Sequence, residues 1–434
     1  MAAFEPTAAA AAPVAATEPT TPATASAAAA EPSGAAAAEP LAAEPVPVGA
    51  EFFAHQHQEY RRWREQGVVR RVRFGEPVPI EGWLVTGHAA CRAALADPRL
   101  SKEGAAERYG ALLGNTEGPG AGLMRHMLNT DPPHHTRLRR LVQQAFTARR
   151  VAALRPLVEA RVDRLLDALA GRAEADLIAD FALPLPLGVI SDLLGAPADG
   201  RTALQVRGNA EAEGDGEVSV PTAESMLRHI QELLDHKREH PADDLLSGLL
   251  AARDGDDRLT GPEITSMCFL LVLAGHQTTV NLIANGMLTL LDHPEELAAL
   301  RAAPNLLAGA IDEVLRYESP FAIASLRYTT EPVVIAGTRI PAGEFVQLGL
   351  LAANRDPAAF PDPDRFDITR DGTGHLAFGH GIHHCLGAPL ARLQAEVAFG
   401  RLFRRWPALR LAERPVWQEN PRHHGLLRLP VLLG

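Results

Sequence analysis

The sequence predicts a mainly α-helical fold in which short strands are the minority, on three observations. Leu and Ala dominate the long periodic stretches while aromatic residues make up only 5% of the 434, a bias that favours helix because these side chains lose little freedom there. Residues 262–291 read as one long helix, since Thr260 with Glu263 three residues on makes a capping box and Pro262 suits the first turn. Strand-like runs are short and few, near residues 68–74, 82–86, 333–340 and 345–348.

Taken from the N-terminus, residues 1–48 are a low-complexity Ala/Pro/Thr/Glu tract with almost no large apolar side chain. Ordering such a tract would cost backbone entropy without compensating burial. A disordered tail is therefore expected, followed by a single domain over 49–434. The formal net charge is −11, with five acids (Glu5, Glu18, Glu31, Glu39, Glu44) and no base in the first fifty residues, which argues against nucleic acid as a partner. The N-terminus lacks the basic segment of a signal peptide, and no apolar run is long enough and uninterrupted enough to span a bilayer. Neither export nor membrane anchoring is expected. Cys91, Cys268 and Cys385 are too few and too scattered for a disulfide framework, which fits a reducing cytoplasm. Residues 103–124 and 208–220 are poor in regular signals and are candidate mobile lids. The long helix is apolar all round, so it is expected in the core.

The most informative segment is Phe378-Gly-His-Gly-Ile-His-His-Cys385-Leu-Gly-Ala-Pro-Leu-Ala-Arg392, a glycine-punctuated loop that enters a helix just after a cysteine. Free N–H groups at the positive helix end are expected to lower the thiol pKa, while Gly379, Gly381 and Gly387 let backbone approach a flat ligand. The cluster of His380, His383, His384 and Cys385 does not read as structural zinc, which takes ligand pairs from separate turns. A Cys-x-x-Cys-His signature for covalent haem is absent. The remaining reading is a thiolate ligand to a non-covalent haem.

This loop resembles the haem-binding loop of the cytochrome P450 superfamily in its bacterial form, and further elements follow in that family's order over about residues 51–434. The resemblance implies the cytochrome P450 fold, a large helical domain with small β-sheets around a buried haem b whose iron is held by Cys385, with Phe378, Gly379 and Gly387 against the cofactor. Glu313-Val-Leu-Arg316 is similar to the family's Glu-x-x-Arg helix, whose pair is joined by an arginine from a later meander, here Arg365; that trio is structural. Ala274-Gly275-His276-Gln277-Thr278-Thr279 is similar to the oxygen-binding segment, where a small residue leaves room over the iron and a threonine hydroxyl meets dioxygen. The haem propionates are expected to take His135, Arg139, Arg327 and His383, because buried anions require cationic donors.

One departure stands out. The residue before Thr278 is commonly acidic in the family, but here it is Gln277, and an amide cannot pass a proton as a carboxylate does. Proton delivery would then fall to water, to Thr278 or to a polar group of the substrate.

A thiolate ligand favours O–O cleavage. The resemblance therefore implies insertion of one oxygen atom from O2 into a C–H or C=C bond of a small apolar or amphipathic molecule, a secondary metabolite such as a polyketide, macrolide, terpenoid or peptide. Coupling, ring closure or desaturation by the same haem is the alternative that Gln277 keeps open. A peroxide-driven enzyme usually replaces the Thr278 region with arginine and proline, and a haem-free accessory protein loses the cysteine. The fifty or so residues after Cys385 leave no room for a fused electron-transfer domain, so a separate ferredoxin and ferredoxin reductase are expected. Arg137, Arg140, Arg149 and Arg150 form a basic run for steering the ferredoxin. The enzyme is expected to be a monomer. Residues 270–273 and 321–325 with the two lids are expected to line an apolar pocket.

Overall fold

The computed structural model describes residues 44–75, 79–114, 116–196 and 220–434. Six of its strands form one sheet: β1 (Val46–Val48), β2 (Val69–Phe74), β3 (Ile80–Val85), β4 (Leu100–Ser101), β5 (Arg327–Thr329) and β6 (Phe345–Leu348). Their spatial order is β1-β2-β3-β6-β5-β4. β3 lies antiparallel to β2 and parallel to β6, with Gly82 opposite Phe345. A side chain at Gly82 would meet the Phe345 carbonyl at 2.6 Å, so only glycine permits this pairing. All four strand-like runs of the sequence are found, the 333–340 run as a separate hairpin of Val333–Ile335 and Thr338–Ile340.

Two expectations are corrected here. β1 pairs in parallel with β2, Val46 opposite Val72, so ordered structure begins before residue 49; the rest of the expected tail, up to residue 43, lies outside the described residues. Its last valines gain order from a neighbour more than twenty residues away, which local composition does not reveal. The 103–124 stretch holds two helices, Glu103–Leu112 and Gly118–Leu123, because Ala105 is buried to 1% exposure and anchors the first of them despite its glycines. Of the second candidate lid, residues 208–219 lie outside the described residues.

Seven helices position the site: α1 (Gln56–Gln66), α2 (Glu103–Leu112), α3 (His134–Ala145), α4 (Pro184–Leu193), α5 (Gly261–Asp292), α6 (Leu307–Tyr317) and α7 (Ala388–Arg405). α5 starts at the expected capping box, Thr260 Oγ1 accepting from the Glu263 N–H and Glu263 from the Thr260 N–H. Its 32 residues make a rod of about 48 Å that packs against α4, α6 and α7. Gly286 lets the Phe399 ring of α7 press on the α5 backbone. α5 is also the one described helix long and apolar enough to cross a membrane, and it is instead mostly buried within the protein. Its apolar side chains join the largest hydrophobic cluster, while two smaller clusters cover the sheet.

A buried polar knot joins the N-terminal helix to the C-terminal loop. Glu318 accepts from His57 at 3.0 Å and His424 at 2.6 Å, and Arg355 donates to its other oxygen at 2.8 Å. Burial alone would raise the Glu318 pKa, but the charges of His57 and Arg355 with the imidazole hydrogen bonds hold it well below the carboxylate range.

Candidate active site

Three cysteines occupy two kinds of place. Cys91 and Cys268 are packed in the core at 0% and 1% exposure, and burial pushes both thiols up. Cys385 alone is surface-accessible by area. It is nonetheless deeply enclosed by protein, a combination expected of a side chain lining an internal chamber rather than the outer surface. The loop before it is shaped by Gly379 and Gly381, whose positive φ of 71° and 75° suit glycine. The Cys385 N–H donates to the Phe378 carbonyl at 2.9 Å. Gly387 has an ordinary φ of −80°; its N–H faces the sulfur, as does that of Ala388 at the start of α7.

These donors pull the thiol pKa down as the sequence suggested, but the net shift is upward. Burial raises it, and the Gly387 and Ala388 N–H groups with Arg139 and Arg392 offset that only in part. The loop is fixed from two sides. Arg139 of α3 donates to the His384 carbonyl at 2.7 Å, and Arg392 lies over the Phe378 ring at 4.5 Å while bonding Asp312 of α6 at 2.9 Å.

The four groups expected to hold propionates converge. His135 and Arg139 are one turn apart on α3, the His135 and His383 rings are 4.3 Å apart, and Arg327 reaches the carbonyls of Leu95 and Leu100 at 3.3 Å. Burial with the charges of His135, Lys102, Arg327 and Arg139 pushes His383 down to about 2, and burial takes Arg327 down to about 10. Lys102, which the sequence reading passed over, sits beside them at 2% exposure with its ammonium on the Leu326 carbonyl at 3.0 Å. Asp131 acts on Lys102, His135 and Arg327, and Asp97 on Arg327 as well; the Asp131 oxygens already accept from Ser101 Oγ and the N–H groups of Lys102 and Glu103. Both ring nitrogens of His135 are buried without a partner. A site with surplus positive charge and orphaned buried donors fits a group carrying two anions, as haem does.

On α5, Leu271, Ala274, Gly275 and Thr278 share one face, and it keeps accessible surface in the middle of an otherwise buried helix. The side chain of Thr278 bonds back to the Ala274 carbonyl at 3.0 Å, and that of Thr279 to Gly275 at 3.3 Å. Gln277 donates through Nε2 to Asn281 at 3.3 Å, while its Oε1 is buried and unpaired.

The structural trio needs correction. Arg316 forks onto Glu313 at 2.7 and 2.8 Å, both side chains fully buried. The second arginine at Glu313, and so the third member of the trio, is Arg370, at 3.2 Å. Arg365 offers Arg316 only its carbonyl, at 3.3 Å, and turns its 63%-exposed guanidinium to Asp367. Five residues separate the two arginines, and which one turns inward depends on the meander's path.

The basic run is also different from a free patch. Arg137 is bound to Asp257 and Glu263, and Arg150 to Asp243. Arg140 and Arg149 are the exposed residues of the run, Arg140 within electrostatic reach of Asp257. Nor is the expected lining purely apolar. Leu270 and Val272 point into the core, while Arg422 and His423 lie against Phe321 and Ala322: the Ala322 N–H donates to the Arg422 carbonyl at 2.7 Å, and the rings of Phe321 and His423 are 5.1 Å apart. A sequence signal for this existed only in the run Arg422-His423-His424, polar where a pocket was expected to be greasy.

The description Cytochrome P450 matches residues 220–432. Cytochrome P450 107B1 of Saccharopolyspora erythraea is 48% identical over 392 residues, which span 88% of this chain and 96% of that protein. Cytochrome P450 monooxygenase PikC of Streptomyces venezuelae is 48% identical over 391 residues, 88% of this chain and 92% of the relative. The solved structure of the tirandamycin C-bound P450 monooxygenase TamI superposes with a TM-score of 0.81 at 43% identity, covering 90% of this chain and all of that one.

Proposed function

Because the chain belongs to the cytochrome P450 family, we propose that this haem-thiolate monooxygenase tailors a secondary metabolite, with Thr278 and Gln277 managing the proton at the oxygen-binding face. The observation that carries the reading is an accessible Cys385 sulfur faced by the Gly387 and Ala388 N–H groups, beside the cations Lys102, Arg139 and Arg327 that gather around His383. A relative of the same fold that holds tirandamycin C supports a natural product as substrate class. When bound, haem ligated by the Cys385 thiolate supplies the activation of O2 for insertion into a C–H or C=C bond.

The chain's own residues would then do the following. His135, Arg139, Arg327 and His383 hold the propionates, Lys102 adding a fifth donor; Phe378, Gly379 and Gly387 shape the thiolate side. Ala274 keeps the accessible α5 face free of bulk, and Gly275 lets Ile190 of α4 pack against the α5 backbone, since a side chain there would meet it at 2.5 Å. Thr278 Oγ1 can exchange the Ala274 carbonyl for an oxygen acceptor across one rotamer change. Gln277 Oε1 accepts a hydrogen bond, from water or from a substrate hydroxyl, but releases no proton. Glu313, Arg316 and Arg370 brace the meander at residues 361–367 against α6 without touching substrate.

Redox partners supply the electrons. We assign these to a ferredoxin and its reductase, with exposed Arg140 and Arg149 attracting acidic groups on the ferredoxin, and we place the enzyme in the cytoplasm as a monomer with one catalytic domain from about Val46 onward. The test is turnover of the purified enzyme with ferredoxin, reductase and labelled O2 against a natural-product panel. A product heavier by one labelled oxygen supports insertion; a product lighter by two hydrogens would transfer the reading to coupling or desaturation. Gln277→Glu is expected to raise turnover and product per reductant consumed, and an unchanged ratio would remove Gln277 from proton management.

A further inference from the structure

Beyond the cations that suit the propionates, one more charge, that of Arg422, has no ion-pair partner among the described residues. Arg422 lies on the strand segment joined to residues 321–323: its carbonyl accepts from Ala322, and His423 bridges Phe321. From that position its charge acts on Lys102, while His423 is within electrostatic reach of His276 in the oxygen-binding segment of α5. Arg422 is thus within electrostatic reach of the cationic pocket and adjoins a histidine that reaches α5, and the Tyr109 ring of α2 lies 5.8 Å from its guanidinium.

Like Cys385, Arg422 is exposed by accessible area while burial is the main influence on its guanidinium, the combination expected of a side chain that lines an internal chamber. Among the described residues no carboxylate pairs with its guanidinium, and burial holds its pKa below the usual arginine range. An enclosed, unpaired guanidinium is costly. It is tolerable where a mobile anion completes it, and its planar fork matches a carboxylate in two-point geometry. Lys102 is a different case: it lies with the propionate-binding cations and borders Asp131, and its ammonium already donates to the Leu326 carbonyl.

We infer that Arg422 is a specificity-determining residue that anchors an acidic group of the substrate, so that the preferred substrate class is a small apolar molecule bearing a carboxylate or a comparably acidic group. The inference deepens the haem-thiolate reading and rests on it. The acid end held at Arg422 would leave the apolar body toward Ala274 and Thr278, which fixes which carbon meets the oxidant.

The experiment uses the holoenzyme and two probes, dodecanoate and methyl dodecanoate, titrated by the Soret shift that reports displacement of water from the iron. Wild type is expected to bind the acid at least tenfold more tightly than the ester. Arg422→Gln should weaken the acid about 10- to 100-fold, the range for loss of a charged hydrogen-bond partner, while leaving the ester within about threefold; Arg422→Lys should keep part of the preference. Equal binding of acid and ester by wild type, no binding of the acid, or a preference that survives Arg422→Gln would each overturn the inference. The reduced, carbon monoxide-treated spectrum of every preparation separates the two levels. An intact thiolate band with an unchanged preference removes only the role of Arg422, whereas absence of that band in wild type removes the haem-thiolate reading itself.

Discussion

Replacing Arg370 with alanine is expected to damage the protein far more than replacing Arg365, although both stand in the same short meander. Arg370 is 14% exposed and donates to Glu313 at 3.2 Å and to the carbonyls of Pro361, Asp362 and Arg365 at 2.6, 3.0 and 3.2 Å. Removing it takes a counter-charge from a fully buried carboxylate and frees three carbonyls, a loss of about 2–3 kcal/mol. Arg316→Met goes further. It strands Glu313 with only the Asp367 N–H and Arg370, and breaking a buried pair from one side costs about 3–5 kcal/mol. Arg365→Ala removes a 63%-exposed side chain whose ion pair with Asp367 is 3.5 Å long, a change of at most about 0.5 kcal/mol. Thermal unfolding followed by circular dichroism, with haem retention followed at the Soret band, should rank the variants Arg316→Met, Arg370→Ala, Arg365→Ala from most to least damaged. If Arg365→Ala lost as much as Arg370→Ala, the reasoning from side-chain direction would be wrong.

Stability should fall on acidification between about pH 6.5 and 4. Burial drives His126 and His423 from the usual 6.5 down to about 4, so the unfolded chain takes up these protons first and each group withdraws on the order of 3 kcal/mol across that window; melting temperature against pH checks this, and His126→Phe should flatten the slope, an unchanged slope counting against it. Gly286→Ala should destabilise by about 1–3 kcal/mol through overpacking against Phe399, read as a lower melting temperature. Thr278→Ala should lower product formed per reductant consumed and raise peroxide release, with the Soret spectrum unaltered; full coupling in that variant would exclude the Thr278 hydroxyl from proton handling.

What the sequence made legible was local. The α5 cap is written in Thr260 and Glu263, and the turns at Gly379 and Gly381 need the left-handed backbone that glycine supplies. The convergence of His135, Arg139, Arg327 and His383 was legible through the family's spacing, not through any property of each residue alone. What escaped reading was set by distant neighbours. β1 exists because β2 lies beside it, and α2 forms because Ala105 finds a buried seat. Arg370 rather than Arg365 faces Glu313 because the meander turns that way. The Cys385 thiol pKa rises because enclosure outweighs two N–H groups and two arginines, a balance of magnitudes that sequence spacing does not contain. Lys102 and Arg422 were invisible for a related reason: a lone cation in a sequence reads as surface until its direction is known.

The most direct measurement is the absorption spectrum of the reduced protein under carbon monoxide, for wild type and for Cys385→Ser. A haem bound through the Cys385 sulfur predicts the long-wavelength Soret band of thiolate ligation in wild type and its loss in the variant. A wild-type band at the shorter wavelength of other ligands, or a variant that keeps the wild-type spectrum and turnover, would contradict it.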